Sequence, residues 1–341
     1  MSRKYRLDYA IWIFTGICNL DCIHCYAYRF RSLRELSLEE KLKLAHELGE
    51  LGLEFVGLSG GEPLIHPHLP HILGVLQKYG IDKSLVTNAT IVRDDILNTL
   101  YRTDTRVIVS IDGPREIHDA IRGKGVFDRV VANIKKIEKV LGSFSAVIAV
   151  NKLNYRVMDR VVETAIKLGA DHISLIPVMP SGKALINKIY VETPEYIEAL
   201  VKAREKASEY GVYINTWCTP WSSFIHGYTG TYSYCRTVSG FDIDPAGNLL
   251  LCDVIDLVIT STRGRKLTEA LEEYYNHPYV KAVINPGKLS EPCKSCILSQ
   301  TCKGGCYARS YNLGRELNSG DPLCPRVYAH TKYLKQAISR Q

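Results

Sequence analysis

Short apolar runs alternate with amphipathic segments along the first half of the chain. Apolar runs of this length predict buried strands. The predicted strands are residues 9–14, 53–58, 83–87, 106–111, 144–150 and 172–178. A segment with helical periodicity separates each run from the next. This alternation predicts a parallel sheet whose strands are joined by right-handed helical crossovers.

Helix start signals support the intervening segments. Ser37 and Glu40 form a capping box, which opens a helix that ends near Gly49. Thr193 and the proline after it start a helix that ends near Tyr210. The other predicted helices are residues 67–78, 93–101, 127–141 and 155–169. Six strand–helix units fall short of a closed eight-unit barrel, so we expect an α/β fold built on a partial (β/α)6 barrel, with its chemistry at the carboxyl ends of the strands.

The sequence pattern changes after the helix that ends near residue 210. Regular alternation stops, and eight of the eleven cysteines appear. Residues 241–243 and 248–251 predict a hairpin whose turn contains Gly247. We therefore expect a barrel domain over residues 1–210 and a small cysteine-rich domain with a C-terminal helix over residues 211–341.

Three cysteines follow the first predicted strand at the spacing C-x3-C-x2-C: Cys18, Cys22 and Cys25. Three thiolates on one loop can hold three corners of a cubane iron–sulfur cluster, which leaves the fourth iron open to a non-protein ligand. A structural zinc site would need a fourth Cys or His at the end of the pattern. His24 lies between two of the cysteines and is poorly placed to close a tetrahedron.

Polar and glycine residues follow the next predicted strands. The second strand ends in the sequence Gly60, Gly61, Glu62, Pro63, in which two glycines expose backbone and permit a sharp turn. Asn88 ends the third strand, where an amide can meet a polar ligand. These residues have a structural interpretation as well, as turn and helix-cap residues.

The cysteine loop and the Gly-Gly-Glu-Pro turn together resemble the radical S-adenosylmethionine (SAM) enzymes. The resemblance implies that SAM chelates the open iron of a [4Fe–4S] cluster and is cleaved to a 5′-deoxyadenosyl radical, which abstracts hydrogen from a substrate. It further implies that the cofactor-binding residues include Gly60, Gly61, Glu62, Pro63, Asn88 and Ser110. The pattern around His118, Asp119 and Arg122 resembles the subfamily with a C-terminal extension.

The C-terminal cysteines resemble that extension, the seven-cysteine SPASM domain, over its whole length. The resemblance implies one auxiliary [4Fe–4S] cluster on Cys293, Cys296, Cys302 and Cys324. It implies a second on Cys235, Cys252 and Cys306. Cys218 is the remaining cysteine, and we expect it to be the fourth ligand of that second cluster; the alternative is a small core residue. For Cys293 to Cys306 alone, zinc is the alternative metal.

Asp253 directly follows Cys252. In some protein-oxidising members of the family, an acid at this place takes the substrate proton, so Asp253 is a candidate catalytic base. The alternative is a solvated hairpin residue.

Composition and charge limit the remaining classes of function. No apolar run approaches the roughly 18 residues that span a bilayer, and no signal peptide precedes the first strand, so we expect a cytoplasmic protein without a membrane partner. Eleven cysteines is an odd number, which disfavours a pure disulfide framework. The formal charge of +7 falls to about +2 once three clusters are counted. No long basic block is present, so nucleic-acid binding is not predicted.

The predicted function is hydrogen abstraction from a peptide or protein side chain, with two auxiliary clusters that carry electrons away. An external donor of the ferredoxin or flavodoxin type would supply the reducing electron. The first alternative is modification of a small molecule such as a tetrapyrrole or another cofactor precursor, because the chain begins too close to its first strand to hold a peptide-clamping domain. A second alternative, from a different class, is an iron–sulfur electron carrier or a zinc-scaffolded binding protein.

Overall fold

The protein is described by a computed structural model that covers residues 7–225, 231–232 and 239–338. Cys235, a predicted cluster ligand, lies outside the described residues. The described strands are β1 Tyr9–Thr15, β2 Phe55–Gly60, β3 Asp82–Thr87, β4 Arg106–Ser110, β5 Ser145–Val150, β6 His172–Pro177, β7 Ile214–Thr216, β8 Thr231–Tyr232, β9 Gly240–Ile243, β10 Asn248–Leu250 and β11 Val258–Ser261.

The described α-helices connect and cover these strands. They are α1 Leu38–Glu50, α2 Leu69–Lys78, α3 Asp94–Arg102, α4 Arg115–Arg122, α5 Val126–Leu141, α6 Met158–Lys167, α7 Gly182–Ile186, α8 Thr193–Glu209, α9 Leu267–Asn276, α10 Pro278–Ile284, α11 Ser299–Cys302, α12 Tyr307–Asn312 and α13 Pro325–Ile338. The sequence predicted the helices that join the first six strands, as well as α8 and a C-terminal helix. It missed α4, α7, α9, α10, α11 and α12.

All the strands join one sheet in the order β11-β10-β9-β1-β2-β3-β4-β5-β6-β7-β8. Pairing is parallel from β1 through β8, and β9 also pairs in parallel with β1. The hairpin strands β9 and β10 are antiparallel, as predicted. The six predicted parallel strands are therefore confirmed, and further strands extend the sheet at both edges.

The ends of β2 differ from the prediction. The strand was predicted to begin at Leu53, but the Leu53 N–H donates to the Leu48 carbonyl at 3.1 Å, so this residue still belongs to the end of α1. The sheet itself continues past residue 210, because β7 pairs with β6 at one edge and β9 pairs with β1 at the other. The domain boundary near residue 211 remains a prediction.

The two faces of β1 have different neighbours. Trp12 and Phe14 are fully buried in the main core, on the face covered by helices. Ile13 points to the opposite face and packs in a small separate cluster with Phe30 and Leu250. This cluster holds the segment after β1 and the β9–β10 hairpin against the inner face of the barrel. The first cysteine loop and the C-terminal hairpin therefore meet at one place.

Candidate active site

The first three cysteines lie on the loop that leaves β1 at the carboxyl end of the sheet. Cys22 is buried, and Cys18 and Cys25 are partly buried. Burial raises the pKa of all three thiols, that of Cys22 to about 11. A buried thiolate needs nearby positive charge, and metal binding supplies it while releasing the thiol protons. Three cysteines on one loop, one buried and two partly buried, therefore fit an iron–sulfur cluster.

Backbone hydrogen bonds hold this cysteine loop from two sides. The Ile23 N–H donates to the carbonyl of Ile121, at the end of α4, at 3.1 Å. On the other side, the Lys183 N–H at the start of α7 donates to the Cys25 carbonyl at 3.0 Å. Asn187 Nδ2 donates to the Ile23 carbonyl at 2.8 Å. The loop conformation is thus fixed by elements that come far later in the chain.

The two glycines of the Gly-Gly-Glu-Pro turn press against the cysteine loop. The Gly61 N–H donates to the Thr15 carbonyl at 2.7 Å. A Cβ atom at Gly60 would meet the Thr15 carbonyl oxygen at 2.4 Å, and one at Gly61 would meet the Ile17 carbonyl oxygen at 2.0 Å. Only glycine permits this approach. Pro63 then begins a short 3-10 turn, Pro63–Ile65.

Glu62 connects this turn to the end of β3. Its side chain is 1% exposed and accepts hydrogen bonds from Thr87 Oγ1 at 2.7 Å, the Asn88 N–H at 2.7 Å and the Leu64 N–H at 3.0 Å. Burial raises the pKa of Glu62 to about 7, although these three donors favour the ionised form. The carboxylate of Glu62 is therefore occupied by protein donors, and its role in cofactor binding stays a prediction.

Asn88 and Ser110 both lie where parallel strands end. Asn88 Nδ2 donates to Asn19 Oδ1 at 3.1 Å and lies 3.9 Å from Cys18 Sγ, so this amide is part of the cysteine-loop environment. Ser110 is the last residue of β4 and is 7% exposed. The structure thus places both predicted cofactor-binding residues at the expected edge of the sheet.

A buried charge network lies behind the cysteine loop. Arg122 Nε donates to Asp112 Oδ2 at 2.7 Å, and His24 Nε2 lies 3.7 Å from the same oxygen. Burial raises the pKa of Asp112, but Arg122, His24, His118 and the Ala149 N–H together hold it below its usual value. Burial lowers the pKa of His24 to about 4, so its imidazole is neutral near pH 7. His24 therefore faces Asp112, and Arg122 brings positive charge toward Cys22.

Asp253 lies between the cysteine loop and the C-terminal hairpin. It forms a side-chain hydrogen bond with Tyr26, which directly follows Cys25 and also bonds to Ser59. The Cys252 thiol donates to Asp253 Oδ1 at 3.6 Å. Asp253 is therefore not a solvated hairpin residue, because one bond joins it to each cysteine region.

Asp242 on β9 is a second carboxylate beside Asp253, and sequence reasoning missed it. Its Oδ2 accepts the Asp253 N–H at 2.7 Å. Ligand atoms of Asp242, Cys252 and Asp253 all lie within 4.8 Å of one another. Burial raises the pKa of both carboxyl groups, and the charge of Asp253 raises that of Asp242 further. The available signal was strand alternation, which points Asp242 away from the core residues Phe241 and Ile243.

Arg29, which follows the cysteine loop, donates hydrogen bonds to the segment around Asp253. Its Nη2 donates to the carbonyls of Asp253 and Ile255, the latter at 3.0 Å. Its Nη1 donates to Ser181 Oγ, just before α7, at 3.0 Å. One side chain thus joins the cysteine loop, the segment after β6 and the hairpin.

Four of the C-terminal cysteines, here called the cavity cysteines, line one cavity: Cys293, Cys296, Cys302 and Cys324. The wall of the cavity also includes Trp221, Leu298 and Val327. Burial raises the pKa of Cys302 to about 12 and that of Cys324 to about 11. Four cysteines around one cavity, one buried and three partly buried, fit a four-thiolate cluster.

The other four, here called the hairpin cysteines, are Cys218, Cys235, Cys252 and Cys306; Cys235 is not among the described residues. Tyr307, which follows Cys306, donates its hydroxyl to the carbonyl of Leu251, which precedes Cys252, at 2.8 Å. These two cysteines therefore lie on adjoining segments. Arg309 Nη2 donates to the Cys218 carbonyl at 3.4 Å, which places Cys218 near the same helix α12. Cys218 has a φ of +59°, a conformation rare outside glycine. Its role as a ligand stays a prediction.

Comparisons with known proteins agree with this geometry. The family model of the Radical SAM superfamily matches residues 12–165. The AdoMet-dependent heme synthase of Methanosarcina barkeri is 27% identical over 335 residues, which cover 92% of this chain and 95% of that protein. The PqqA peptide cyclase of Bradyrhizobium diazoefficiens is 26% identical over 337 residues, covering 95% and 87%.

A solved structure shows the same fold over nearly the whole chain. The structure of anSMEcpe with bound AdoMet and the Cp18Cys peptide is 20% identical and has a TM-score of 0.74. The similarity covers 98% of this chain and 97% of that one. Among the residues described here, no helix has both the length and the apolar character needed to cross a membrane. The predicted fold class is confirmed: residues 12–165 form a Radical SAM domain, and over nearly its whole length the chain is similar to enzymes of the SPASM type.

Proposed function

We propose that this enzyme oxidises a side chain of a peptide or protein, using SAM beside a [4Fe–4S] cluster on Cys18, Cys22 and Cys25. When bound, SAM and this cluster supply a radical that removes a hydrogen atom from a substrate carbon. The hairpin and cavity cysteines hold two auxiliary [4Fe–4S] clusters, which accept the electron that the substrate then loses. An external donor of the ferredoxin or flavodoxin class provides the reducing electron.

The contact between Tyr26 and Asp253 is the observation that carries this proposal. It brings a partly buried carboxylate from the hairpin to the cysteine loop, between the place where the hydrogen atom leaves and the place where the electron is received. Oxidation of a group such as H–C–O–H to C=O removes one hydrogen atom, one electron and one proton. Asp253 is positioned to take the proton.

The environment of Asp253 suits a base. Burial raises its pKa above that of an ordinary aspartate, and a base works best when its pKa approaches the operating pH. Asp242 accepts the Asp253 backbone N–H at 2.7 Å and so fixes the main chain beneath the carboxylate. Arg29 holds the same backbone from the other side through the Asp253 carbonyl.

A peptide substrate is supported by two relatives, the PqqA peptide cyclase and anSMEcpe, whose structure contains a peptide. A second candidate is a tetrapyrrole-class cofactor precursor. The heme synthase matches this chain nearly end to end, and the Fe-coproporphyrin III synthase of the same organism is 31% identical over 157 residues. A radical on the second candidate could complete its oxidation by losing carbon dioxide in place of a proton, and that step would need no base. The effect of removing the Asp253 carboxylate therefore distinguishes the two candidates.

The first experiment is anaerobic purification and reconstitution with iron and sulfide. A brown protein with about twelve irons that cleaves SAM to 5′-deoxyadenosine when dithionite is added supports the proposal. A colourless zinc protein that leaves SAM intact would refute it. Deuterium transfer from labelled peptides or iron porphyrins into 5′-deoxyadenosine, read by mass spectrometry, then identifies the substrate class.

The second experiment substitutes Asp253→Asn, with Asp256→Asn as the matched control. Asp256 is an exposed aspartate three residues further along. We expect Asp253→Asn to keep SAM cleavage and to lose at least about 100-fold in oxidised product, within the range by which general bases contribute. Equal product yields from the two variants would contradict the role of Asp253 and favour the substrate that needs no base.

A further inference from the structure

Asp321 is a buried hub in the C-terminal region. Its side chain is fully buried, and its Oδ2 accepts hydrogen bonds from Trp221 Nε1 at 2.8 Å, Arg309 Nη1 at 2.6 Å and the Cys306 N–H at 3.3 Å. Its Oδ1 accepts a second bond from Arg309 at 2.7 Å and one from the Leu323 N–H at 3.0 Å. A buried carboxylate with so many donors is fixed in position.

Asp321 packs against the turn that joins the two groups of auxiliary cysteines. Cys302 belongs to the cavity cysteines and Cys306 to the hairpin cysteines, with Gly304 and Gly305 between them. Both glycines have positive φ, +91° and +77°. The Asp321 N–H donates to the Gly304 carbonyl at 2.8 Å, and a Cβ atom at Gly305 would meet the Asp321 Cβ at 2.6 Å. The turn and the carboxylate are therefore packed against each other.

The Arg309 guanidinium, which is the positive end of the Arg309–Asp321 ion pair, lies near the hairpin cysteines. Arg309 lies on α12, three residues after Cys306, and its side chain is 4% exposed. Its Nη2 donates to the Cys218 carbonyl at 3.4 Å. The guanidinium is thus buried among residues that flank two of the hairpin cysteines, where solvent screens its charge little.

The negative end faces the cavity cysteines. The Cys324 N–H donates to the Asp321 carbonyl at 2.9 Å, and Asp321 directly follows Gly320, where an added Cβ atom would lie 3.0 Å from Cys293 Sγ. Trp221, which donates to Asp321, is fully buried and also forms part of the cavity wall. The ion pair is therefore an oriented dipole between the two groups of cysteines.

We infer that the Arg309–Asp321 pair raises the reduction potential of the hairpin-cysteine cluster relative to that of the cavity-cysteine cluster. Reduction adds negative charge, so a fixed positive neighbour favours it and a fixed negative neighbour opposes it. The inference rests on the proposed function, since it needs both auxiliary sites to hold clusters. Arg309 and Asp321 act on the two clusters through their charge and are not ligands.

The test measures the midpoint potentials of the two auxiliary clusters in the full-length, reconstituted enzyme by redox titration followed with electron paramagnetic resonance. The signal that changes when SAM is added belongs to the cysteine-loop cluster and is set aside. Arg309→Gln removes the positive end, and Arg309→Lys restores a charge. Lys41→Gln removes a buried charge in the barrel and is the matched control.

We expect Arg309→Gln to lower the hairpin-cluster potential relative to the cavity cluster, with at least a tenfold change in the electron-transfer equilibrium between them, about 59 mV for one electron. Arg309→Lys should recover most of this difference, and Lys41→Gln should leave it unchanged. Full iron content with an unchanged difference in Arg309→Gln would overturn the inference and leave the proposed function intact. Absence of auxiliary iron from the unmodified enzyme would instead overturn the proposed function.

If Arg309→Gln loses its auxiliary iron, a second variant, Trp221→Phe, tests the inference instead. This variant keeps an aromatic ring at the cavity wall but removes one donor from Asp321, so the carboxylate charge is less well compensated. We expect a smaller fall in the cavity-cluster potential with iron content retained. An unchanged potential in that variant would contradict the inference.

Discussion

The two cysteine regions of this enzyme are held in position by different means. The first three cysteines occupy one short loop that leaves β1, and the backbone of that loop is bonded to α4, α7 and the Gly-Gly-Glu-Pro turn. Those elements in turn rest on a continuous apolar core. The cysteine loop is therefore shaped by protein contacts that involve no metal.

The C-terminal region has less regular structure around its cysteines. Between α10 and α13, the described helices are only α11, with four residues, and α12, with six. Most residues of this stretch are partly or fully exposed, and Ile297 is 86% exposed. Residues 285–303 are all at least partly exposed, so we expect metal ligation to supply much of the stability there. The comparison indicates that the proposed first cluster site is built on the scaffold of the barrel, whereas the proposed auxiliary sites depend more on ligation itself.

Metal removal tests this difference most strongly. We expect chelation of the reconstituted enzyme to increase hydrogen exchange many-fold over residues 287–324, because metal binding there supplies folding free energy. The amides of β1 to β6 should keep their protection. Exchange measured by mass spectrometry before and after chelation gives the answer. Equal loss of protection in both regions would show that the barrel also depends on metal.

The glycine contacts of the scaffold offer a second test. Gly61→Ala would place a methyl group 2.0 Å from the Ile17 carbonyl oxygen, so the cysteine loop must shift. A shift of about 1 Å at a reacting group can cost roughly 100-fold in rate. We expect a loss of that size in 5′-deoxyadenosine formation.

Gly74→Ala is the matched control for that variant. Gly74 lies on the exposed side of α2, and an added Cβ there meets nothing within 4 Å. Alanine should stabilise this helix by up to about 1 kcal/mol and leave SAM cleavage unchanged. Similar activities for Gly61→Ala and Gly74→Ala would mean that the close approach at Gly61 is not needed.

The barrel could be predicted from sequence because its signals are local and repeated. Alternating apolar runs and caps such as Ser37 mark each unit within a few residues, and the structure contains all six predicted strands. The confirmed capping box of α1 shows how closely such a signal can fix a helix start. The cysteine spacings likewise indicated where sulfur ligands are clustered.

The contacts that connect the two regions could not be predicted in the same way. Tyr26 and Asp253 are far apart in the sequence, and they meet because β9, the first strand of the hairpin, pairs with β1. Arg309 and Asp321 are separated by irregular chain that carries no periodic pattern. Such pairs depend on tertiary packing, and nothing in the local sequence marks one partner for the other.

A buried charge network at the base of the cysteine loop gives a third, smaller test. Glu35 accepts bonds from Thr15 Oγ1 at 2.7 Å and the Gly16 N–H at 2.8 Å, while fully buried Lys41 donates to its other oxygen at 3.1 Å. Lys41→Met leaves that carboxylate without its main counter-charge. We expect a loss of about 2 kcal/mol in the free energy of unfolding, less than for a fully isolated pair because His66 and the loop donors remain.

The double variant Glu35→Gln, Lys41→Met separates charge from packing. It removes both charges, so it should be more stable than Lys41→Met alone, by urea unfolding of the metal-free chain. A double variant as unstable as the single one would show that the cost comes from packing around the lysine stem.

The smallest effect concerns pH and is confined to the barrel. His118 on α4 is fully buried, its Nδ1 accepts the Asp112 N–H at 3.2 Å, and burial lowers its pKa to about 4. The unfolded chain binds a proton below about pH 6.5 that the folded chain does not bind until about pH 4, so stability falls as pH falls through that window. From pH 7.5 to 5.5 this one group should cost about 1.4 kcal/mol.

His118→Asn should remove that part of the pH dependence, because the asparagine oxygen can accept the Asp112 N–H but does not titrate. His172→Asn, which removes a largely exposed imidazole at the start of β6, is the matched control. Urea midpoints of the metal-free chain at the two pH values provide the measurement. An equal loss of stability on acidification in His118→Asn and His172→Asn would show that the acid sensitivity lies elsewhere. The pH dependence of the barrel, as distinct from the C-terminal region, would then have to come from a different titrating group.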